Sequence, residues 1–165
     1  MSIKDKIKYL KAQKKALANT NAPETKKNLD RQITDAEIEK LNQQKAKKEQ
    51  EKKELVAEAH SIVVKTYGTL KRLGLIGTKW DMSDLFNRSR SYFLVFESRK
   101  NQPLAFEDLK ALKGNIQEIR YNLNLLLQDE DEVYKEWVRR KLDDILEDVE
   151  RLEIKTLGVL YEIKY

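Results

Sequence analysis

Residues 138–163 read VRRKLDDILEDVERLEIKTLGVLYEI, and this stretch decides the fold class. Its stripe of apolar or small residues recurs at alternating steps of four and three: Val138, Leu142, Ile145, Val149, Leu152, Thr156, Val159 and Ile163. That spacing holds side chains on one face of an α-helix, as in a coiled coil, and does not fit the twofold alternation of a strand. Leu146 and Leu160 widen the stripe, so we predict that this helix contacts more than one neighbour.

A second stripe of the same kind lies upstream and consists of Leu109, Leu112, Ile116, Ile119, Leu123 and Leu126. Asn101-Gln102-Pro103 breaks the chain before it. The acidic run from Asp129 to Glu132 should open the final helix, because carboxylates are favoured at the positive end of a helix dipole. We therefore predict an all-α protein in which residues 55–165 form a helical bundle, with coiled-coil helices over 115–163.

The N-terminal part of the sequence predicts an antiparallel hairpin of two helices. The first runs from Ile3 to Ala18, and Pro23 is well placed in the first turn of the second. Apolar residues available for packing are Ile3, Ile7, Leu10 and Leu17 in the first helix and Leu29, Ile33, Ala36, Ile38 and Leu41 in the second.

Residues 42–54 read NQQKAKKEQEKKE and contain one apolar residue, Ala46. Such a segment has nothing to bury, yet its residues favour or tolerate a helix. We predict a solvated helical stalk, with a disordered linker as the alternative. Residues 1–54 then form one domain, a basic hairpin and stalk, and residues 55–165 form the other.

The middle of the chain is ambiguous from local preferences alone. Gly74 and Gly77 should end the long second helix. Ser83 is a plausible N-cap for a helix over 84–98, although Tyr92–Phe96 has high strand propensity. Trp80 and Trp137 are predicted to anchor the bundle rather than to form stacking platforms.

Composition excludes several kinds of active site. The chain has no cysteine, one histidine (His60) and no glycine-rich phosphate loop, so we expect neither an enzyme nor a metal or other cofactor. No apolar run is long enough to span a membrane and no signal-peptide core is present, so we expect a cytoplasmic protein without a membrane partner.

The charge is distributed unevenly along the chain. Residues 1–100 contain 23 basic and 13 acidic residues, whereas residues 101–165 contain 10 basic and 15 acidic residues. The basic part indicates a polyanionic partner, and the ordinary abundance of Lys and Glu on helix surfaces explains the charge equally well.

Residues 78–112 read TKWDMSDLFNRSRSYFLVFESRKNQPLAFEDLKAL and resemble the lambda-repressor-like helix-turn-helix family. The resemblance extends over about 62–112, with Ile62–Gly74 as the preceding helix. It implies a short helix, a turn, and a recognition helix that opens with Ser-Arg-Ser-Tyr, followed by a basic loop and a proline. The chain has Leu94 and Val95 where the family usually exposes polar, base-contacting side chains, and burial of both against the later helices is one alternative.

The residue types suit that arrangement. Ser83 is small enough for two helices to cross closely, and Asn87 tolerates the left-handed conformation of a tight turn. Ser89 is predicted to cap the second helix, which leaves Arg90 and Ser91 exposed to meet base edges or phosphates. The remaining predicted DNA contacts, to phosphates, are Lys79, Arg88, Arg99, Lys100 and Asn101, and the predicted small core is Phe86, Phe93 and Phe96.

The resemblance implies a regulator of transcription or replication, of the kind that phages and plasmids encode, acting on double-stranded DNA. We expect it to form a homodimer through the heptad seam of the C-terminal helices. The alternative is a non-enzymatic coiled-coil adaptor, scaffold or inhibitor, in which the N-terminal hairpin reaches a protein partner. A nucleic-acid interface and a protein interface thus remain two hypotheses.

Overall fold

The computed structural model describes residues 1–18 and 20–163, with side chains through Val159. The described residues form helices and connections without a strand, so the predicted all-α class is confirmed. The helices are α1 (Ile3–Leu17), α2 (Pro23–Arg72), α3 (Lys79–Leu85), α4 (Tyr92–Ser98), α5 (Phe106–Tyr121), α6 (Leu123–Leu126) and α7 (Glu132–Ile163). Among the described helices, no segment combines the length and the hydropathy that a membrane span requires. The chain divides into two compact units, Met1–Glu51 and Lys52–Tyr165.

The first unit is the predicted hairpin of α1 and the beginning of α2. Its buried core is Ile7, Leu10, Leu29, Ile33 and Ala36. Ion pairs Lys11–Glu37 (2.7 Å) and Lys14–Asp30 (2.6 Å) flank that core and fit an antiparallel arrangement.

Two residues predicted to pack in the hairpin are instead about half exposed, namely Ile38 and Leu41. A helix turns by roughly 100° per residue, so both lie on a different face from Leu29, Ile33 and Ala36. The apolar character of these two residues was therefore a poor guide to their burial.

Residues 42–54 are helical and exposed at every position, which confirms the solvated helix and not the disordered linker. No described side chain in this segment enters a core. Its helicity therefore comes from local preference and from its continuity with the packed parts of α2 on either side.

The second unit is built around α7, which packs against α5, and both share one core with the last third of α2. The predicted α7 stripe is buried at Val138, Leu142, Ile145, Val149 and Leu152. The predicted stripe members Leu160 and Ile163 lie outside the described side chains. An ion pair between Lys113 and the largely buried Glu153 (2.9 Å) also joins α5 to α7.

Burial of this stripe bears on the expected homodimer. The seam from Val138 to Leu152 is covered by the chain's own helices, so these side chains are not available to a second copy. Heptads within a bundle and heptads between chains have the same sequence pattern, and from Val138 to Leu152 they serve the bundle. A homodimer through the C-terminal helices stays a prediction.

The second predicted stripe is interrupted. It is buried at Leu109, Leu112, Ile116 and Leu123, but α5 ends at Tyr121 and the short α6 follows. Leu126 is exposed as a result, contrary to the unbroken heptad spacing. The final helix starts at Glu132, where Asp131 Oδ1 accepts a hydrogen bond from the Tyr134 amide (2.7 Å) as an N-cap.

Candidate nucleic-acid interface

The end of α2 positions the chain that follows it. Gly74 has a positive φ of 71°, and the amides of Gly74 and Leu75 donate to the carbonyls of Lys71 (3.1 Å) and Leu70 (3.0 Å). This is a Schellman-type end, in which glycine avoids the steric cost of the left-handed conformation. The predicted helix end at Gly74 is therefore confirmed.

Helix α3 begins with a capping box. Thr78 Oγ1 accepts from the Asp81 amide (3.2 Å), while Asp81 Oδ2 accepts from the amides of Gly77 and Thr78 (2.8 Å each). The bond from the Gly77 amide and then that from Thr78 lower the pKa of Asp81, because they stabilise the carboxylate. The cap is thus Thr78 and not Ser83, because only Thr78 has the extended backbone and the acidic residue three positions later.

Ser83 is fully buried inside α3. Its hydroxyl donates to the carbonyl of Arg90 (3.0 Å) and accepts from the amide of Phe93 (2.9 Å). A small polar residue therefore permits the close crossing of α3 and α4, as predicted, and also satisfies backbone groups of the partner segment.

Between α3 and α4 the chain makes a turn at Asn87, whose φ is 54°. The left-handed conformation predicted for this residue is confirmed. Asn115 of α5 fastens the turn, since its Nδ2 donates to the carbonyl of Leu85 (2.8 Å) and to Asn87 Oδ1 (3.2 Å). A single helix over 84–98 is accordingly wrong, because the turn interrupts it.

Helix α4 starts at Tyr92, two residues later than the predicted cap at Ser89 implies. Ser89 does not cap it: the Ser89 carbonyl accepts from the Tyr92 amide (2.9 Å), and the Ser89 hydroxyl lies 3.5 Å from that of Ser91. The segment before α4 forms a turn of its own. The strand propensity of Tyr92–Phe96 is overridden because Phe93 and Phe96 both enter the core from one helix face.

Two of the predicted phosphate contacts already have partners within the chain. Arg88 Nε donates to Asp108 Oδ1 (2.7 Å), and the Tyr92 hydroxyl donates to Oδ2 of the same buried carboxylate (2.9 Å). The bond to Asp108 raises the pKa of Arg88, and burial followed by this carboxylate raises the pKa of Tyr92. Arg88 therefore has a structural role, because its ion pair with Asp108 connects the turn to α5.

Lys79 is the second such residue. Its ammonium pairs with the carboxylate of Glu97 (2.5 Å), and this hydrogen bond raises the pKa of Lys79. The Glu97 carbonyl accepts from His60 Nε2 (3.1 Å), whose ring stacks on Phe96. These contacts join α2, α3 and α4, with His60 of α2 packed against α4.

The other predicted contact residues are exposed, namely Ser89, Arg90, Ser91, Arg99, Lys100 and Asn101. The Arg90 guanidinium lies over the Trp80 ring, with Cζ 5.4 Å from the ring centroid. A cation held over an aromatic face keeps its hydrogen-bond donors in the plane free for a partner.

Both tryptophans differ from their predicted role as bundle anchors. Trp80 and Trp137 are about half exposed, and each ring is covered on one face by a cation, from Arg90 and Lys141 respectively. The prediction of burial from the large apolar area of tryptophan was wrong, because the ring of each tryptophan packs against a charged side chain at the surface.

The sequence alone does not decide the placement of Leu94 and Val95, and the structure exposes both. Their relative exposures are 41% and 37%, so burial against the later helices is wrong. The helical spacing of 91, 94, 95 and 98 could have indicated one outward face, because Phe93 and Phe96 take the inward one.

No protein-family model, curated protein or solved structure matches this chain. Function must therefore be inferred from the residues of the site.

Proposed function

We propose that this protein binds double-stranded DNA through α4 and the segments on either side of it, and thereby regulates transcription or replication. The observation that carries the proposal is the exposure of Arg90 beside an exposed helix face, with its guanidinium oriented by Trp80. A short helix held against a preceding short helix, with arginine at its entrance, suits insertion into a major groove.

Charges around α4 support the same partner. Arg90, Arg99 and Lys100 are exposed, and within the described part of the chain none of them forms an ion pair. In this proposal Arg90, Ser89 and Ser91 meet base edges or phosphates, whereas Arg99, Lys100 and Asn101 meet phosphates. Lys79 and Arg88 contribute positive potential while remaining paired to Glu97 and Asp108.

The N-terminal part of the chain adds attraction that does not depend on sequence. Residues 1–54 contain 15 basic and 9 acidic residues, and 42–54 are exposed at every position. Polyanions attract such a surface at long range, with an effect that salt screens.

The test is binding of the full chain to a labelled mixed-sequence duplex, followed by fluorescence anisotropy from about 50 to 200 mM salt. The logarithm of the binding constant should fall linearly with the logarithm of salt, because bound counterions are released. Arg90→Ala with Arg99→Ala should weaken binding roughly tenfold or more and flatten the slope.

The matched control is Arg140→Ala with Arg151→Ala, which removes the same charge from exposed positions of α7. The control should leave binding within about twofold of the unmodified protein, apart from the small loss expected from net charge. Absence of binding at low salt, or equal losses in both double variants, contradicts the proposal.

An adaptor role is the second candidate, and a separate surface favours it. Tyr121, Leu125, Leu126 and Val133 are all more than half exposed around the connections between α5, α6 and α7. Exposed apolar groups in one area are typical of protein interfaces. Leu125→Ala with Val133→Ala should abolish function under this hypothesis and leave DNA binding unchanged under the first.

A further inference from the structure

Helix α4 presents an outward face without charge. Ser91, Leu94, Val95 and Ser98 follow the helical spacing of one face, and all four are exposed. Phe93 and Phe96 on the opposite face are fully buried, so the four exposed residues face away from the core. The centre of the outward face is therefore two branched apolar side chains.

Cations stand at both ends of this apolar centre. Arg90 precedes it, next to Trp80, and Arg99 and Lys100 follow directly after α4. A partner that fits this face must carry negative charge on both sides of an uncharged, partly apolar strip. The major groove of a DNA duplex has that distribution, because phosphates border it and base edges form its floor.

Only one of the four bases offers an apolar group on that floor. Thymine presents its C5-methyl, whereas the other groups in the groove are hydrogen-bond donors and acceptors. Leu94 and Val95 placed over donors and acceptors would leave those groups without water and without partners, which costs free energy. Placed over methyl groups, the same side chains bury apolar surface at no such cost.

We propose that Leu94 and Val95 determine specificity by contacting thymine methyl groups, so that the preferred duplex carries thymine opposite the centre of α4. This inference rests on the proposed function. Ser91 and Ser98 border the contact, and the Ser98 hydroxyl, which donates to the Val95 carbonyl (2.9 Å), retains acceptor capacity for a base-edge donor.

The experiment compares two duplexes that differ only in the methyl group. The full chain is titrated into an alternating dA-dT duplex and into the same duplex with uracil in place of thymine, at one fixed salt concentration. Binding to the uracil duplex should be weaker by about fourfold where one methyl group is buried against the protein, and by about tenfold or more where two are buried.

A variant separates a methyl contact from a change in DNA shape. Leu94→Ala with Val95→Ala should bring the thymine-to-uracil affinity ratio close to one while leaving affinity for the uracil duplex almost unchanged. A difference caused by duplex flexibility would persist in this variant and would overturn the inference. Ile38→Ala with Leu41→Ala, also half exposed but in the first unit, is the control and should keep the full ratio.

The remaining outcomes are distinct. Salt-dependent binding with equal affinity for both duplexes overturns the thymine inference and leaves the proposed function intact. A lack of binding to either duplex overturns both and directs attention to a protein that covers Leu94 and Val95. Circular dichroism of the double variant verifies its helix content, and the comparison on the unmodified protein does not depend on any variant.

Discussion

Two helix pairs in the second unit share one apolar core but differ in the polar contacts that supplement it. Helices α5 and α7 meet through an apolar seam in which Leu112, Ile116 and Leu142 are fully buried. Helices α3 and α4 are seven residues each and are joined by the hydrogen bonds of Ser83, with Asn115 fastening the turn between them. Apolar contact is non-directional, whereas hydrogen bonds depend on angle and distance.

This comparison indicates that apolar burial mainly determines the stability of the unit, whereas polar contacts mainly determine the orientation of α4. An isolated helix of seven residues is not stable in water, so α3 and α4 depend on the core to which the long helices contribute. The direction in which α4 faces depends on a few polar contacts. Damage to the seam should therefore unfold the unit, while damage to the polar contacts should misdirect Arg90 in a unit that remains folded.

The largest effect is expected from Leu142→Ala, which opens a cavity in the seam. The free energy of unfolding of the second unit should fall by about 2–5 kcal/mol, measured by urea denaturation followed by circular dichroism. Ile154→Ala on the same helix, at an exposed position, is the control and should change it by less than about 0.5 kcal/mol. Equal losses in the two variants would show that the seam is not the source of stability.

An intermediate effect is expected from Ser83→Ala. Loss of the hydroxyl leaves the buried Phe93 amide and Arg90 carbonyl without that partner, which should cost about 1–3 kcal/mol. DNA affinity under conditions where the variant is fully folded should also fall, whereas folded Leu142→Ala protein should bind normally. Ser61→Ala, at an exposed position of α2, should alter neither property. Unchanged DNA affinity in folded Ser83→Ala would contradict the inference that the Ser83 hydrogen bonds orient α4 for DNA binding.

The smallest effect is expected on the loss of stability at acidic pH. The pKa of Asp81 is lower in the folded protein than in the unfolded chain, so its contribution to stability is present above the unfolded pKa and is lost as the pH falls through the folded value. Asp81→Asn should therefore lower stability at neutral pH and reduce the loss of stability between neutral pH and strongly acidic pH. Asp84→Asn, in the same helix at an exposed position, is the control. Its stability should fall at acidic pH as much as that of the unmodified protein, and by more than that of Asp81→Asn. Identical pH profiles for the unmodified protein and Asp81→Asn would rule out this capping contribution.

Features that depend on helical period or on single backbone positions could be predicted from the sequence. The α7 stripe, the helix end at Gly74 and the left-handed turn at Asn87 are of this kind. The exposed helix over 42–54 is another, because thirteen residues with one apolar member have no core to join. Each of these features is determined by residues close together along the chain.

The rest depended on contacts between distant residues. Arg88 forms an ion pair with Asp108, twenty positions later in the sequence, and Lys79 forms one with Glu97 on a different helix. Nothing in the local sequence distinguishes such a paired cation from Arg90, which remains exposed. The start of α4 was also missed, because Ser89 has the residue type of a cap while the turn geometry places it too early.

Glu97 contacts two other helices at once, through its carboxylate to Lys79 and through its carbonyl to His60. Helix α4 is thereby prevented from rotating about its own axis. The conformational entropy of ordering this helix is lost during folding, so little remains to be lost when a partner arrives. Association can then proceed as the docking of a rigid template, at a rate limited by the orientation of collisions rather than by a preceding rearrangement.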